Sequence, residues 1–274
     1  MIPVPFAYYR PDTLDEAAQI YSELTNQCKD PVFYGGGTEI ITMARVGSIC
    51  PGAVIDIKAI AECTIMDFSA DKLIIGSAVT LSQITESKLF PLLGTTAARV
   101  SDHTNQCRIT LGGNVCGTII YRETVLPMLL TDCEVVICGI DGVRKVSIHD
   151  AFDRRIKLNC GEFIVRFVFD KAALGAPFVH VKKTKNEKID YPLLTLAAIK
   201  YQGRIRMAFS GLCDFPFRSA QIETIINDNS SLQNKADMVA TQLPDKALTN
   251  IAGSGAYRIF VLKNTVLNAL ETLQ

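Results

Sequence analysis

Three successive glycines, Gly35-Gly36-Gly37, stand between the apolar stretch Pro31-Val-Phe-Tyr34 and the run Thr38-Glu-Ile-Ile41, and no other feature limits the fold as much. Without Cβ atoms a chain reaches positive φ and lets other groups approach its backbone, so the segment reads as strand, tight turn and helix start. Unpaired N–H groups converging at such a turn form a cup of positive partial charge suited to phosphate oxygens, and the following helix adds its first donors. A second segment, Thr110-Leu-Gly-Gly-Asn114, repeats the same Thr/Gly/Asn chemistry. Either loop alone is as readily a plain turn. Together they point to a large dinucleotide held from two sides.

Known nucleotide fingerprints are absent. No Gly-Lys-Ser/Thr follows the first loop, and Ile40 stands where a dinucleotide fingerprint needs its third glycine. The 28 Lys and Arg balance the 28 Asp and Glu, so no global field favours nucleic acid. No apolar run is long enough for a membrane span, and MIPVPFAYYRPDTLDEA has no signal-peptide pattern, which leads us to expect a cytoplasmic protein. Nine cysteines without a CxxC pair match no zinc or iron–sulfur spacing and are expected to be reduced, mostly buried thiols.

The pattern predicts an α+β chain of two domains, cut between residues 172 and 173 where small residues precede Pro177. Domain 1–172 carries the glycine loops at 33–40 and 110–114. Thr13-Leu-Asp-Glu16 is a capping box ahead of a helix through Leu24, and Thr80 caps another. Strands are expected at 31–34 and 53–57, hairpins at 63–78 and 134–148, and a further strand at 161–169; helices are expected at 40–46, 91–100 and 127–130. Domain 173–274 reads as a three-stranded meander, 178–183, 193–201 and 204–211, followed by helices at 219–226, 232–240 and 256–273. In the last helix Ile259, Leu262, Val266, Leu270 and Leu273 share a face.

The ordered set of motifs resembles the FAD-binding medium subunits of molybdenum hydroxylases, of the xanthine dehydrogenase and aerobic carbon monoxide dehydrogenase type. Besides the two loops, the resemblance rests on Phe6-Ala-Tyr-Tyr-Arg-Pro-Asp-Thr-Leu-Asp-Glu-Ala17, Ile74-Ile-Gly-Ser-Ala-Val-Thr80, Gly161-Glu-Phe-Ile164 and Ser254-Gly-Ala-Tyr-Arg258, and it spans nearly the whole chain. It implies a two-domain FAD-binding fold of the PCMH type followed by a smaller α+β domain. It implies that Phe33, Tyr34, Gly35, Gly36, Gly37, Thr38, Glu39 and Ile40 wrap the FAD diphosphate, with Thr110, Leu111, Gly112, Gly113 and Asn114 closing from the other side. Val100 and Ile164 would give apolar contacts, Glu123 a ribityl contact, and Lys182 a place near the flavin ring. It further implies a molybdopterin-binding large subunit and an iron–sulfur small subunit with 2Fe–2S clusters, and NAD or another acceptor.

Two positions depart from the family's pattern. Glu123 stands where the family usually has Asp, and Asn105-Gln-Cys107 lacks the family's arginine. They leave open a paralogous assembly subunit with weak or lost flavin binding. Other residues carry plainer readings: Arg122 and Glu123 as a solvated pair, Lys182 to Lys188 as an exposed strand end, His103 and His149-Asp150 as helix-end groups, Phe215 to Arg218 as a loop anchor, and Tyr34 as either cofactor neighbour or core. No nucleophile with a base, and no metal-ligand set, is evident, so the chain holds a cofactor and relies on other polypeptides for the remaining chemistry.

Overall fold

The computed structural model describes residues 2–186 and 189–274. Glu187 and Lys188, part of the basic run, lie outside the described residues. The chain divides into two compact units: residues 1–84, 103–117 and 133–170 form the first, and 85–102, 118–132 and 171–274 the second. The second unit thus takes two segments from the N-terminal half as well as everything from Lys171 onward.

In the first unit, strands β1 (Ala7–Tyr9), β2 (Pro31–Tyr34) and β3 (Ala53–Asp56) make a parallel sheet in the order β1-β3-β2. Parallel strands need helical crossovers. The first crossover is the helix Leu14–Asn26, whose start is fixed by Thr13 Oγ1 accepting the Glu16 N–H at 3.2 Å. The helix Thr38–Arg45 begins directly after the glycines.

A five-stranded antiparallel sheet completes this unit. Its members are β4 (Met66–Ser69), β5 (Lys72–Gly76), β6 (Glu134–Gly139), β7 (Gly142–Ser147) and β10 (Phe163–Asp170), in the order β4-β5-β10-β6-β7, while β8 (Phe152–Asp153) and β9 (Arg155–Ile156) pair by themselves. The central position of β10 explains its nearly continuous apolar sequence, because both faces are covered. Ile55, Ile57, Ile60, Cys63, Phe163 and Val165 share the core of this unit.

The second unit is built on an antiparallel sheet of β11 (Phe178–Thr184), β12 (Pro192–Tyr201), β13 (Arg204–Ser210) and β14 (Phe217–Arg218). The expected three-stranded meander gains a fourth member, since Phe217 and Arg218 pair with Phe209 and Ala208 rather than forming a loop anchor alone. Helices Ala220–Ile226, Leu232–Val239 and Gly255–Leu273 pack into a shared core with the sheet. Leu262, Val266, Leu270 and Leu273 are buried as their spacing predicts. The short helix Val125–Leu130 ends on two guanidinium groups: Arg206 donates to Leu130 O at 2.7 Å and Arg218 to Leu129 O at 2.6 Å, a favourable place for positive charge. Arg258 is fully buried and donates to the carbonyls of Pro192, Leu193 and Gly211 and to Asn250 Oδ1.

Among the described residues no helix is long and apolar enough to cross a membrane. All nine cysteines are free, and five (Cys28, Cys50, Cys107, Cys116 and Cys160) are exposed, contrary to the expectation of mostly buried thiols. Those five sit in turns, at a helix end or just before a strand, where the chain meets solvent.

Candidate cofactor-binding site

The first glycine loop leaves the carboxyl end of β2, beside the carboxyl end of β3, where Tyr34 is the partner of Asp56. Ligands of open parallel sheets collect at these strand ends. Each glycine of the triplet faces a different protein neighbour. A Cβ at Gly35 would meet Thr110 Oγ1 at 2.8 Å, one at Gly36 would lie 1.6 Å from the Arg108 carbonyl oxygen, and one at Gly37 would enter the Tyr34 ring at 2.1 Å. Gly37 also has φ +69°, which favours glycine independently of space. The exclusion of side chains is therefore imposed first by Arg108, Thr110 and Tyr34.

This tight turn leaves donors unused. The N–H groups of Gly35, Gly36, Gly37, Thr38 and Ile40 meet no acceptor among the described residues, whereas the Ile41 N–H donates to Gly37 O in the usual helical manner. Gly37 is the N-cap of an eight-residue helix and has no side chain to occupy its first-turn amides. The result is a run of partner-free amides at a helix N-terminus, the chemistry that an anionic diphosphate satisfies.

The second segment differs from its expectation as a loop. Thr110 caps a short helix, Leu111–Cys116, in which both glycines lie. Its amides have protein acceptors: Leu111 N donates to Val79 O, Gly112 N to Ser77 O, Gly113 N to Thr110 Oγ1 and Asn114 N to Thr110 O. A Cβ at Gly112 would approach Ser77 Cβ to 2.6 Å, so this glycine serves close packing, while Gly113 is exposed with only Thr110 Oγ1 nearby. The segment meets the first loop through Thr110, whose Oγ1 also lies nearest the exposed Gly113. Glycines made it look like a turn; close packing against residues 77–79 holds them in a helix.

Lys58, Asp56 and Tyr8 were not evident from the sequence. Lys58 Nζ donates to Gly35 O at 2.9 Å and to both Asp56 oxygens at 2.8 and 2.7 Å, and it lies 4.7 Å from the centre of the Tyr34 ring. Tyr8 donates to Asp56 Oδ2 at 2.6 Å. Burial pushes the Asp56 carboxyl up, but the bonds from Lys58 and Tyr8 outweigh it and hold the group below the usual carboxylate range. Only the strand order β1-β3-β2 assembles this cluster. No local signal could have revealed it.

The remaining expected residues fall into two groups. Phe33 stacks between Tyr21 and Phe163, with ring centres 4.9 and 4.5 Å apart, and Ile164 is buried in β10, so both fill the core of the first unit. Tyr34 lies against the loop itself, beneath Gly37 and Lys58. Glu39 approaches the position of a Cβ on Gly117.

Val100, Glu123 and Lys182 belong to the second unit. There Glu123 and Lys182 meet: Lys182 Nζ donates to Glu123 Oε2 at 2.8 Å and to Arg99 O at 2.7 Å, and Thr195 donates to Glu123 Oε1 at 2.6 Å. The Lys182 and Glu123 side chains are 2% and 5% exposed and Arg122 is also buried, so Arg122 and Glu123 are not a solvated pair, and the exposed strand end holds for Lys183, Lys185 and Asn186 but not for Lys182. His180, two residues before Lys182, has a buried Nε2 without a partner; burial, with Arg99 and Lys182 close by, pushes its imidazole down to about 4. His103 contacts Cys107 Sγ at 3.7 Å on an exposed short helix, and His149 takes the Ser147 cap of another.

Comparison with known proteins bears on this geometry. Residues 4–169 match the family described as the FAD binding domain in molybdopterin dehydrogenase. The glyceraldehyde dehydrogenase medium chain of Sulfolobus acidocaldarius is 24% identical over 293 aligned positions, covering 99% of both chains. The nicotinate dehydrogenase FAD-subunit of Eubacterium barkeri is 27% identical over 194 positions, 66% of this chain and 64% of that one. A solved carbon monoxide dehydrogenase from Hydrogenophaga pseudoflava superposes with a TM-score of 0.86 over 99% of this chain and 98% of its own, at 21% identity.

Proposed function

The chain belongs to the family of FAD-binding domains of molybdopterin dehydrogenases, and from that premise we propose that it takes electrons from an iron–sulfur subunit and passes them, by way of FAD, to NAD or another acceptor. A molybdopterin-binding large subunit and an iron–sulfur small subunit would be its partners, in the cytoplasm. Support for the partners comes from relatives described as a medium chain and an FAD-subunit of dehydrogenases.

The observation that carries the reading is the row of partner-free amides at Gly35 to Thr38 and Ile40. Backbone dipoles would neutralise the diphosphate without a cluster of Lys and Arg, which suits a chain of zero formal net charge. Bound FAD supplies the redox chemistry. The protein holds the diphosphate with amides of the first loop, buttresses that loop through Arg108 and Thr110, and presents the surface at Gly113 beside it.

A second reading, an assembly subunit with weak or lost flavin binding, draws on Glu123. Both of its oxygens are engaged by Thr195 and Lys182, which leaves a ribityl hydroxyl to compete for them. Titration of the apo chain with FAD separates the two. Saturable binding, a yellow protein and FAD released on denaturation are expected; a colourless chain that ignores added FAD would establish the assembly role instead. Molybdenum and iron are expected in the complex isolated from its native cell.

A further inference from the structure

We infer that Lys58 is a positioning residue for the diphosphate cup, acting through the Gly35–Gly36 peptide; the inference rests on the FAD-binding reading above. A lysine ammonium has three donors. Here the ammonium lies within hydrogen-bond distance of three protein oxygens, Gly35 O and the two of Asp56. Its charge is matched by the Asp56 carboxylate, so its role is taken to be that of holding the loop rather than of a direct phosphate ligand.

Its effect is exerted through the geometry of one peptide plane. The chain has no cis peptide bonds, and in a trans peptide the carbonyl of one residue and the N–H of the next point in opposite directions. Holding Gly35 O toward Lys58 therefore turns the Gly36 N–H away from Lys58, as one of the partner-free amides. A peptide between two glycines meets no Cβ of its own residues when it rotates, so it needs an outside partner to fix its direction. If it turned over, a carbonyl oxygen would replace an N–H in the row and repel the diphosphate.

Lys58 is itself held on several sides. Asp56 is 4% exposed and receives the Tyr8 hydroxyl and the Lys58 backbone N–H as well as the ammonium. The Tyr34 ring lies under the ammonium on one side and fills the space of a Gly37 Cβ on the other. Tyr8, Asp56, Lys58 and Tyr34 thus form a brace at the loop, with Lys58 the member that touches the Gly35–Gly36 peptide.

The test is the FAD dissociation constant of the apo chain, by flavin fluorescence, for wild type, Lys58→Arg and Lys58→Met. Asp56→Asn and the double variant Asp56→Asn/Lys58→Met are measured alongside, so that the buried carboxylate is never left without its cation in the comparison that counts. Loss of the charged hydrogen bond should weaken FAD binding about tenfold or more in Lys58→Met and in the double variant relative to Asp56→Asn. Lys58→Arg, which can still donate to Gly35 O, should recover most of it. The salt dependence of binding by the double variant should stay as in wild type, since the net charge of the pair is kept and no phosphate contact is removed. Equal affinity of Asp56→Asn and the double variant overturns the inference. So does a loss that Lys58→Arg fails to rescue and that flattens the salt dependence, which marks a direct phosphate contact. A wild-type chain that binds no FAD would instead overturn the functional reading beneath it.

Discussion

Glu123 and Lys182 illustrate how a residue's role changes once its neighbours are known. Each is a plausible polar contact for a flavin, yet the fold buries them against one another, with Thr195 and Arg99 O satisfying what remains. Breaking a buried pair from one side leaves an uncompensated charge, and this costs about 3–5 kcal/mol in comparable sites. Glu123→Gln should accordingly lower the stability of the second unit by that order in urea unfolding. The double variant Glu123→Gln/Lys182→Met should recover most of the loss, because no isolated ammonium remains. A double variant as unstable as the sum of its singles would mean that the two side chains do not interact.

The element that matters most is the turn between β2 and the helix Thr38–Arg45, and its glycines are unequal. Gly36→Ala sets a methyl group 1.6 Å from the Arg108 carbonyl, where neither backbone can yield cheaply. The expected cost is about 1–3 kcal/mol of overpacking or more, together with loss of FAD retention. Gly113→Ala meets only the Thr110 hydroxyl at 2.9 Å, so thermal stability should change far less while FAD affinity falls. Equal melting temperatures for the two variants would contradict the packing described here. The same contrast separates the segments chemically: the first turn contributes partner-free amides, and the helix Leu111–Cys116 contributes support.

Taken as a whole, the chain has a core for each unit, one around Ile55, Cys63 and Phe163 and one around Leu196, Phe209 and Leu270. Both cores are large enough to unfold cooperatively, so the calorimetric enthalpy of the apo chain should exceed the van't Hoff value. FAD at a hundredfold excess over its dissociation constant should stabilise the form that binds it by about 2.7 kcal/mol. In hydrogen exchange, slowed amides should include Gly35 to Thr38 and Ile40, since those donors gain acceptors. Unchanged exchange there on saturation with FAD would place the diphosphate elsewhere.

Local chemistry in the sequence determined much of this protein. Thr13 and Thr80 start helices where their capping boxes stand, the stretch 134–147 forms its hairpin across Ile140-Asp141, and the spacing of Leu262, Val266 and Leu270 selects the buried face of the last helix. Those features depend on residues a few positions apart, which a pattern can express. The tertiary structure alone decided that Lys58 reaches Gly35, that Arg108 forbids a side chain at Gly36, that the second glycine segment is a helix, and that Glu123 answers Lys182. Each of these joins residues far apart in the chain through strand order or close packing, and no propensity or period carries information about a neighbour that only folding supplies.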